Sequence, residues 1–291
     1  MNLVRVELLG GLGNQLFQAA AGLALAKRLG AALEFDIARF RAAGSRAYAL
    51  DGLAHGAGVV GQTADGVSRL KQRMDRALRF GRAKAPLGWR GAAFRERDYA
   101  YDPRFEALDG ACYLTGYFHS ERYFAAEAAH VRAAFSLLPQ VGPAARAFAE
   151  AMTPNSLAVH LRIGDFKAAQ HFHAVHGTLG TSYYRNAIAL ARAARPIDQI
   201  YVFTDTPDAI PALMPEGTAY QAVKGFSAPE DLYLMSCARA HVIANSTFSW
   251  WSAWFDARPD KLVIAPRAWL APDALKKTYI GDLYPEGWVM L

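Results

Sequence analysis

The opening of the chain permits few folds. Leu3 to Leu9 alternates and is rich in β-formers, a glycine-rich turn follows, and about Gln15 to Leu29 has the spacing of a helix that Gly30 can cap. Ala32 to Asp36 then reads as a second strand. A strand, a turn, a helix and a strand in that order favour a parallel sheet. The alternation returns later, with strand signals at Leu157 to Ile163, Gln199 to Thr204, Ala219 to Val223, His241 to Ala244 and Leu262 to Ala265 and helical patterns between them. It predicts a doubly wound α/β domain whose ligands sit at the carboxyl ends of its strands.

Cys112 to Phe118 reads as another strand and Ser120 to Phe135 as a helix, whereas Arg41 to Arg97 reads as helical and loop material. Leu137 to Pro143 holds two prolines and a glycine after a helix, so the domain boundary is placed there, giving domains 1–138 and 139–291. With 53% hydrophobic and 20% charged residues the chain has the composition of a globular protein. No apolar run reaches the roughly 18 to 20 residues needed to span a bilayer. The N-terminus reads as a first strand rather than a signal peptide, which predicts a soluble, cytoplasmic protein. Cys112 and Cys237 are the only cysteines, and their apolar settings predict buried thiols rather than a disulfide or a metal clip.

The net charge of +6 is uneven, because Arg39 to Arg104 carries 14 Lys and Arg against six Asp and Glu. Within it, Val67, Leu70, Met74 and Leu78 fall at helical spacing, with Arg and Lys on the remaining faces to Lys84. A solvated helix on the core is the simplest account. The alternative is peripheral contact with an anionic membrane or a lipid-diphosphate acceptor. Nucleic acid ranks behind both, because no recognition motif accompanies the charge.

Three motifs carry chemistry. GGLGNQLFQ, Gly10 to Gln18, joins a strand to a helix: its glycines let backbone approach a ligand, the helix start offers N–H groups to an anion, and Asn14 and Gln15 add donors. Taken alone, it fits a ligand-free tight turn equally well. In VHLRIGDF, Val159 to Phe166, strand periodicity puts His160 and Arg162 on one face, and the planar fork of Arg162 suits a diphosphate. In Asp231 to Phe255, Asn245, Ser246 and Thr247 sit where a helix must be capped, making a cradle for phosphate or sugar, while Trp250 and Trp254, four apart, read as core. Asp205 follows the strand IYVFT, where it faces a ligand or stabilises a turn. His171, His173 and His176 lack a supporting Cys or carboxylate pair and are not read as a metal site.

In this order, GGLGNQLFQ, GYFHSERYF (Gly116 to Phe124), HLRIGDF, VFTD and DLYLMS through NSTFSWWSAW resemble glycosyltransferase family 11, the bacterial type of α-1,2-fucosyltransferase. The matches span Leu3 to Phe255, without Phe40 to Ala111. The resemblance implies a GT-B architecture, an α/β fold of two Rossmann-like doubly wound domains facing a cleft, with the first domain on the acceptor side and the second binding the GDP-sugar. It implies inverting transfer from GDP-β-L-fucose to the 2-hydroxyl of a galactose-terminated oligosaccharide or lipid-linked glycan, with no metal and no cofactor besides the donor.

On the matching positions, Asn14, with Gly11, Gly13 and Gln15, would lie near the donor diphosphate and fucose. His160 would contact the nucleotide, Arg162 the β-phosphate and Asp231 the guanine, while Asn245, Ser246, Thr247, Phe248 and Ser249 would line the diphosphate. Arg162, Asn14 and Ser246 to Ser249 would stabilise the departing charge. Asp165 is the carboxylate nearest the motif for a general base, with Glu121 and Asp36 equally open. The chain departs from the family pattern at Ile163, where a second Arg is usual, at His119, where Gln is common, and at Ser252, where Gly is common. Its rivals are another GDP-sugar transferase and a non-catalytic nucleotide-sugar or glycan-binding module.

Overall fold

The computed structural model describes residues 2–41, 46–53, 55–61, 85–86, 89–162 and 177–291. The helix expected up to Lys84, the three-histidine cluster, and Ile163 and Asp165 lie outside them. The chain divides into two compact units, one of residues 1–136 with 281–284, the other of residues 137–280 with 285–291.

In the first unit five parallel strands, β1 (Leu3–Glu7), β2 (Ala32–Asp36), β3 (Gly58–Val60), β4 (Ala92–Arg95) and β5 (Cys112–Thr115), run in the order β3-β2-β1-β5-β4. Helix α1 (Leu12–Leu29) connects β1 to β2, is buried from Gln15 to Ala26, and ends where Gly30 turns left-handed at φ 57° and donates to the Ala26 and Lys27 carbonyls. Gly22 is required by packing: a Cβ there would lie 2.4 Å from Val6 Cγ2, so only glycine lets α1 come this close to β1.

Strands β3 and β4 correct the reading of Arg41 to Arg97 as helix and loop. Each has three or four residues, too few to show a period. Ser120 to Phe135 is likewise not one helix. Two 3-10 turns (Glu121–Tyr123 and Ala125–Glu127) precede α2 (Ala128–Ala134), broken at Phe124, whose φ of −142° is not helical. The Ser120 side chain caps the first turn and Phe124 N closes it on the Glu121 carbonyl, so the chain restarts at Ala125 instead of continuing as one helix.

The second unit holds α3 (Pro143–Ala151), β6 (Ser156–Leu161), α4 (Thr181–Ala194), β7 (Gln199–Thr204), α5 (Ile210–Leu213), β8 (Gln221–Ala222), α6 (Ala228–Cys237), β9 (Ala240–Val242), α7 (Thr247–Phe255), β10 (Leu262–Ala265), α8 (Pro272–Leu275) and β11 (Val289–Met290). Its parallel sheet runs β11-β10-β9-β6-β7-β8. Leu157, Val159 and Leu161 of β6 pack with Tyr184, Ala187 and Ile188 of α4. Trp250 and Trp254 are core, with stacked rings 6.4 Å apart. Each unit is thus a Rossmann-like parallel sheet with helices, the pair that a GT-B-type fold requires.

Candidate functional site

In an open parallel sheet a ligand crevice forms beyond the carboxyl ends of the strands where the strand order reverses. That place is the β1–β5 boundary in the first unit and the β6–β9 boundary in the second. Gly10 to Gln15 follow β1, Gly116 to His119 follow β5, His160 and Arg162 end β6, and Asn245 to Ser249 follow β9. Parts of three motifs therefore lie at these two reversals, whereas Asp205 follows β7 and Asp231 stands in the first turn of α6.

At the first reversal Gly10 adopts φ 84°, and its Cα lies against the Asn14 side chain, where a Cβ would come 2.6 Å from Nδ2. Gly11 caps α1 with open space at its Cα, and the helix starts with no acidic residue and no capping side chain. Gly13 is buried within the helix. Gln15 is spent inside the protein: Nε2 donates to the Gly10 and Ala47 carbonyls and Oε1 accepts from Ala49 N, each at 2.9 Å. Asn14 Oδ1 meets His119 Nε2 at 3.2 Å, which joins the loop after β1 to the loop after β5.

Three supports there escaped the sequence reading. Gln18 is fully buried and ties the same two loops, accepting from Leu9 N at 2.9 Å and donating to Gly116 O at 3.1 Å. Its signal was a second amide on a buried helix face. Glu7, buried at the end of β1, holds the exposed Arg39 fork at 3.2 and 3.4 Å. Glu96, just past β4, is 8% exposed, and its Oε2 accepts from Tyr117 N at 2.7 Å and Phe118 N at 2.6 Å. Burial drives its carboxyl up to about 7 against the pull of those donors. Nothing in the sequence pointed to Glu96, because β4 itself went unread. Asp36 is used structurally, accepting from the Tyr113 hydroxyl and capping Ala38 N.

At the second reversal His160 sits in a strand buried along its whole length and is only 6% exposed. Burial, then the Arg162 charge, pushes its pKa down to about 3, so the imidazole is neutral. Its Nδ1 is buried with no hydrogen-bond partner among the described residues, and its ring lies 5.8 Å from that of Phe248. Arg162 Nη1 bonds Asp205 Oδ2 at 2.6 Å, so these two predicted residues pair with each other.

Beyond β9, Ser246 occupies the N-cap of α7 but its side chain makes no cap bond, and no acid lies in the first turn. Asn245 and Ser249 are buried and brace the loop, Asn245 toward Trp269 O and Ser249 toward Ser246 O at 3.2 Å. By contrast, the first turn of α6 carries acids: Glu230 reaches back to Ser227 N at 2.8 Å. Beside it Asp231, half-buried, has its pKa raised to about 7 by burial and then by Glu230. Helix starts attract anions; α7 and α1 carry no acid in their first turns, whereas α6 carries Glu230 and Asp231. Among the described residues no three His, Cys, Asp or Glu side chains gather as a metal ion would require.

Two Rossmann-like sheets with polar loops at each reversal are the frame of a GT-B-type fold. The model of glycosyl transferase family 11 matches residues 98–291, and the chain belongs to that family. It is 27% identical over 305 residues to an alpha-1,2-colitosyltransferase of Escherichia coli, covering 100% of this chain and 99% of that protein. It is 33% identical over 141 residues to the O-antigen biosynthesis glycosyltransferase WbnK of Escherichia coli, covering 47% of this chain and 45% of that one. Among solved structures it resembles POFUT1 in complex with GDP, with a TM-score of 0.50 and 14% identity over 91% of this chain and 98% of that one, a likeness of fold.

Proposed function

We propose that this glycosyltransferase moves L-fucose from GDP-β-L-fucose to the 2-hydroxyl of a terminal β-galactoside, with inversion and without a metal. The observation that carries the reading is the second reversal: a guanidinium aimed by Asp205, a neutral histidine whose buried Nδ1 has no hydrogen-bond partner among the described residues, and a helix start with no acid in its first turn. Leaving a buried nitrogen unpaired costs about 1 to 3 kcal/mol, which a bound nucleotide would recover.

In the reaction the acceptor oxygen bonds to the anomeric carbon from the face opposite the diphosphate as the bond to the β-phosphate oxygen breaks. Both electrons of that bond leave with GDP, and the acceptor proton passes to a base. Negative charge therefore grows on the diphosphate, where Arg162 and the first N–H groups of α7 act most strongly in the transition state. Asn14, steadied by His119, lies beside the sugar with Gly11 and Gly13, and Asp231 receives the guanine. Residues 1–138 serve the acceptor and 139–291 the donor, and Asp165 is the carboxylate proposed as base.

The name of the full-length relative supports the α-1,2 linkage and brings in a second donor, because colitose is L-fucose without its 3-hydroxyl. The test is incubation with GDP-fucose, GDP-colitose or GDP-mannose and a panel of galactosides, with and without EDTA, and product linkage read by NMR. Transfer from GDP-fucose to the 2-hydroxyl, undiminished by EDTA, is expected. A product linked elsewhere, or no transfer from GDP-fucose, would overturn the reading, and a preference for GDP-colitose would move it to the 3-deoxy donor.

A further inference from the structure

We propose that the turn after β5 is the acceptor-sugar subsite, in which the Tyr117 ring, backed by His119 and aimed by Glu96, receives the apolar C–H face of the acceptor hexose. The inference rests on the transfer reaction proposed above.

Tyr117 is 41% exposed, and of the large exposed hydrophobic side chains among the described residues it alone stands at a strand-order reversal; the others are Leu138, Tyr279 and three C-terminal residues. Its ring stacks on His119, with centroids 5.0 Å apart and planes 19° from parallel. His119 is itself fixed by Tyr99 at 5.1 Å, by the Phe17 edge at 5.2 Å and by Asn14. One side of the tyrosine is therefore backed by a rigid stack while much of the ring stays open to solvent. A galactose-type ring is amphipathic in the complementary sense, with a face of C–H groups and a rim of hydroxyls, and an aromatic plane of fixed orientation accepts that face.

The turn is held at a cost that a simple connection would not need. Phe118 is the single non-glycine residue with positive φ among the described residues, at 57°, a conformation that is strained for a bulky side chain. Gly116 before it has φ 147°, and a Cβ there would lie 2.5 Å from Glu96 Cβ. The buried Glu96 carboxylate accepts from Tyr117 N and Phe118 N together, and Phe118 itself is driven inward among Phe94, Phe105 and Tyr123. Sending Phe118 in and Tyr117 out is what these contacts accomplish. A polar rim accompanies the ring: Asn14, and Arg39, whose fork is held by Glu7 and whose charge reaches the Tyr117 hydroxyl. Planar donors beside an aromatic plane suit adjacent hydroxyls of a sugar.

The test compares Tyr117→Phe, Tyr117→Leu and Tyr117→Ala with the parent for acceptor KM and kcat, and for GDP affinity by calorimetry, which also reports folding. The Ala and Leu variants are expected to raise acceptor KM on the order of tenfold with kcat and GDP affinity preserved, and Phe to restore KM. Saturation-transfer NMR with methyl β-galactoside should show contact confined to one C–H face, lost in the Leu variant. Unchanged acceptor KM in the Leu variant, or saturation spread evenly over the sugar, overturns the platform. If the parent transfers no sugar at all, the reaction proposed above is what fails, and the NMR contact still decides whether the tyrosine receives a hexose.

Discussion

The two strand-order reversals occupy equivalent places in their sheets yet are built from opposite chemistry. The first presents an aromatic ring, a half-exposed amide and charges that are already paired or buried, namely Glu7 with Arg39 and Glu96 on two backbone N–H groups. The second presents a guanidinium, a neutral imidazole and the start of a nine-residue helix without acids in its first turn. A surface of rings and planar amides suits a neutral polyol, whose recognition needs shape and adjacent hydrogen bonds. A guanidinium held by Asp205 beside the first N–H groups of a helix suits a diphosphate, whose charge increases as it leaves. On the proposed reading one topology supplies two ligand chemistries, with the side chains at the strand ends deciding between them.

The comparison breaks first at Arg162. Arg162→Ala should reduce kcat by on the order of 100-fold or more in a protein that still melts cooperatively, because a charged donor to the leaving group is worth about 3 to 4 kcal/mol of barrier. Near-normal turnover would remove the diphosphate from the second unit. Next comes Gln18→Leu, which strands Leu9 N–H and Gly116 C=O and should cost about 1 to 3 kcal/mol. Hydrogen exchange should then quicken around β1 and β5 and stay unchanged in β6 and β9; uniform quickening would mean that the first unit has no local stability of its own.

The pH responses are smaller and opposite in sign. Glu96 has a folded pKa of about 7 against an ordinary 4.5, so the folded state holds the extra proton between these values and its contribution to stability declines as pH rises from about 4.5 to 7. His160 is held at about 3 against 6.5, so the unfolded state binds the extra proton and stability declines as pH falls below about 6.5. Relative to Glu96→Gln and His160→Asn, the parent should show these two slopes, each at most about 1.4 kcal/mol per pH unit, in denaturant titrations. Slopes of the same sign would show that burial does not govern both groups.

Much of this was legible in sequence because the signals were local. Gly30 as the α1 cap, the strands at Gln199 and Leu262, and the tryptophan core rest on spacing within one element. His160 was legible as a strand residue, whereas its burial was not, since alternation looks the same whether the far face meets solvent or another layer. Gln15 was read as a donor toward a ligand; only the fold shows its amide turned onto Ala47 and Ala49, more than thirty residues away.

By itself, then, the sequence determined the parallel α/β class, the family and the loops proposed here to carry the chemistry, all consequences of residue order within short windows. The tertiary structure alone decided that Arg162 pairs with Asp205, that Gln18 and Asn14 stitch two loops about a hundred residues apart, and that a buried Glu96 sets the turn bearing Tyr117. These are contacts between distant segments, chosen by sheet order and burial, and no local spacing encodes which strand ends become neighbours.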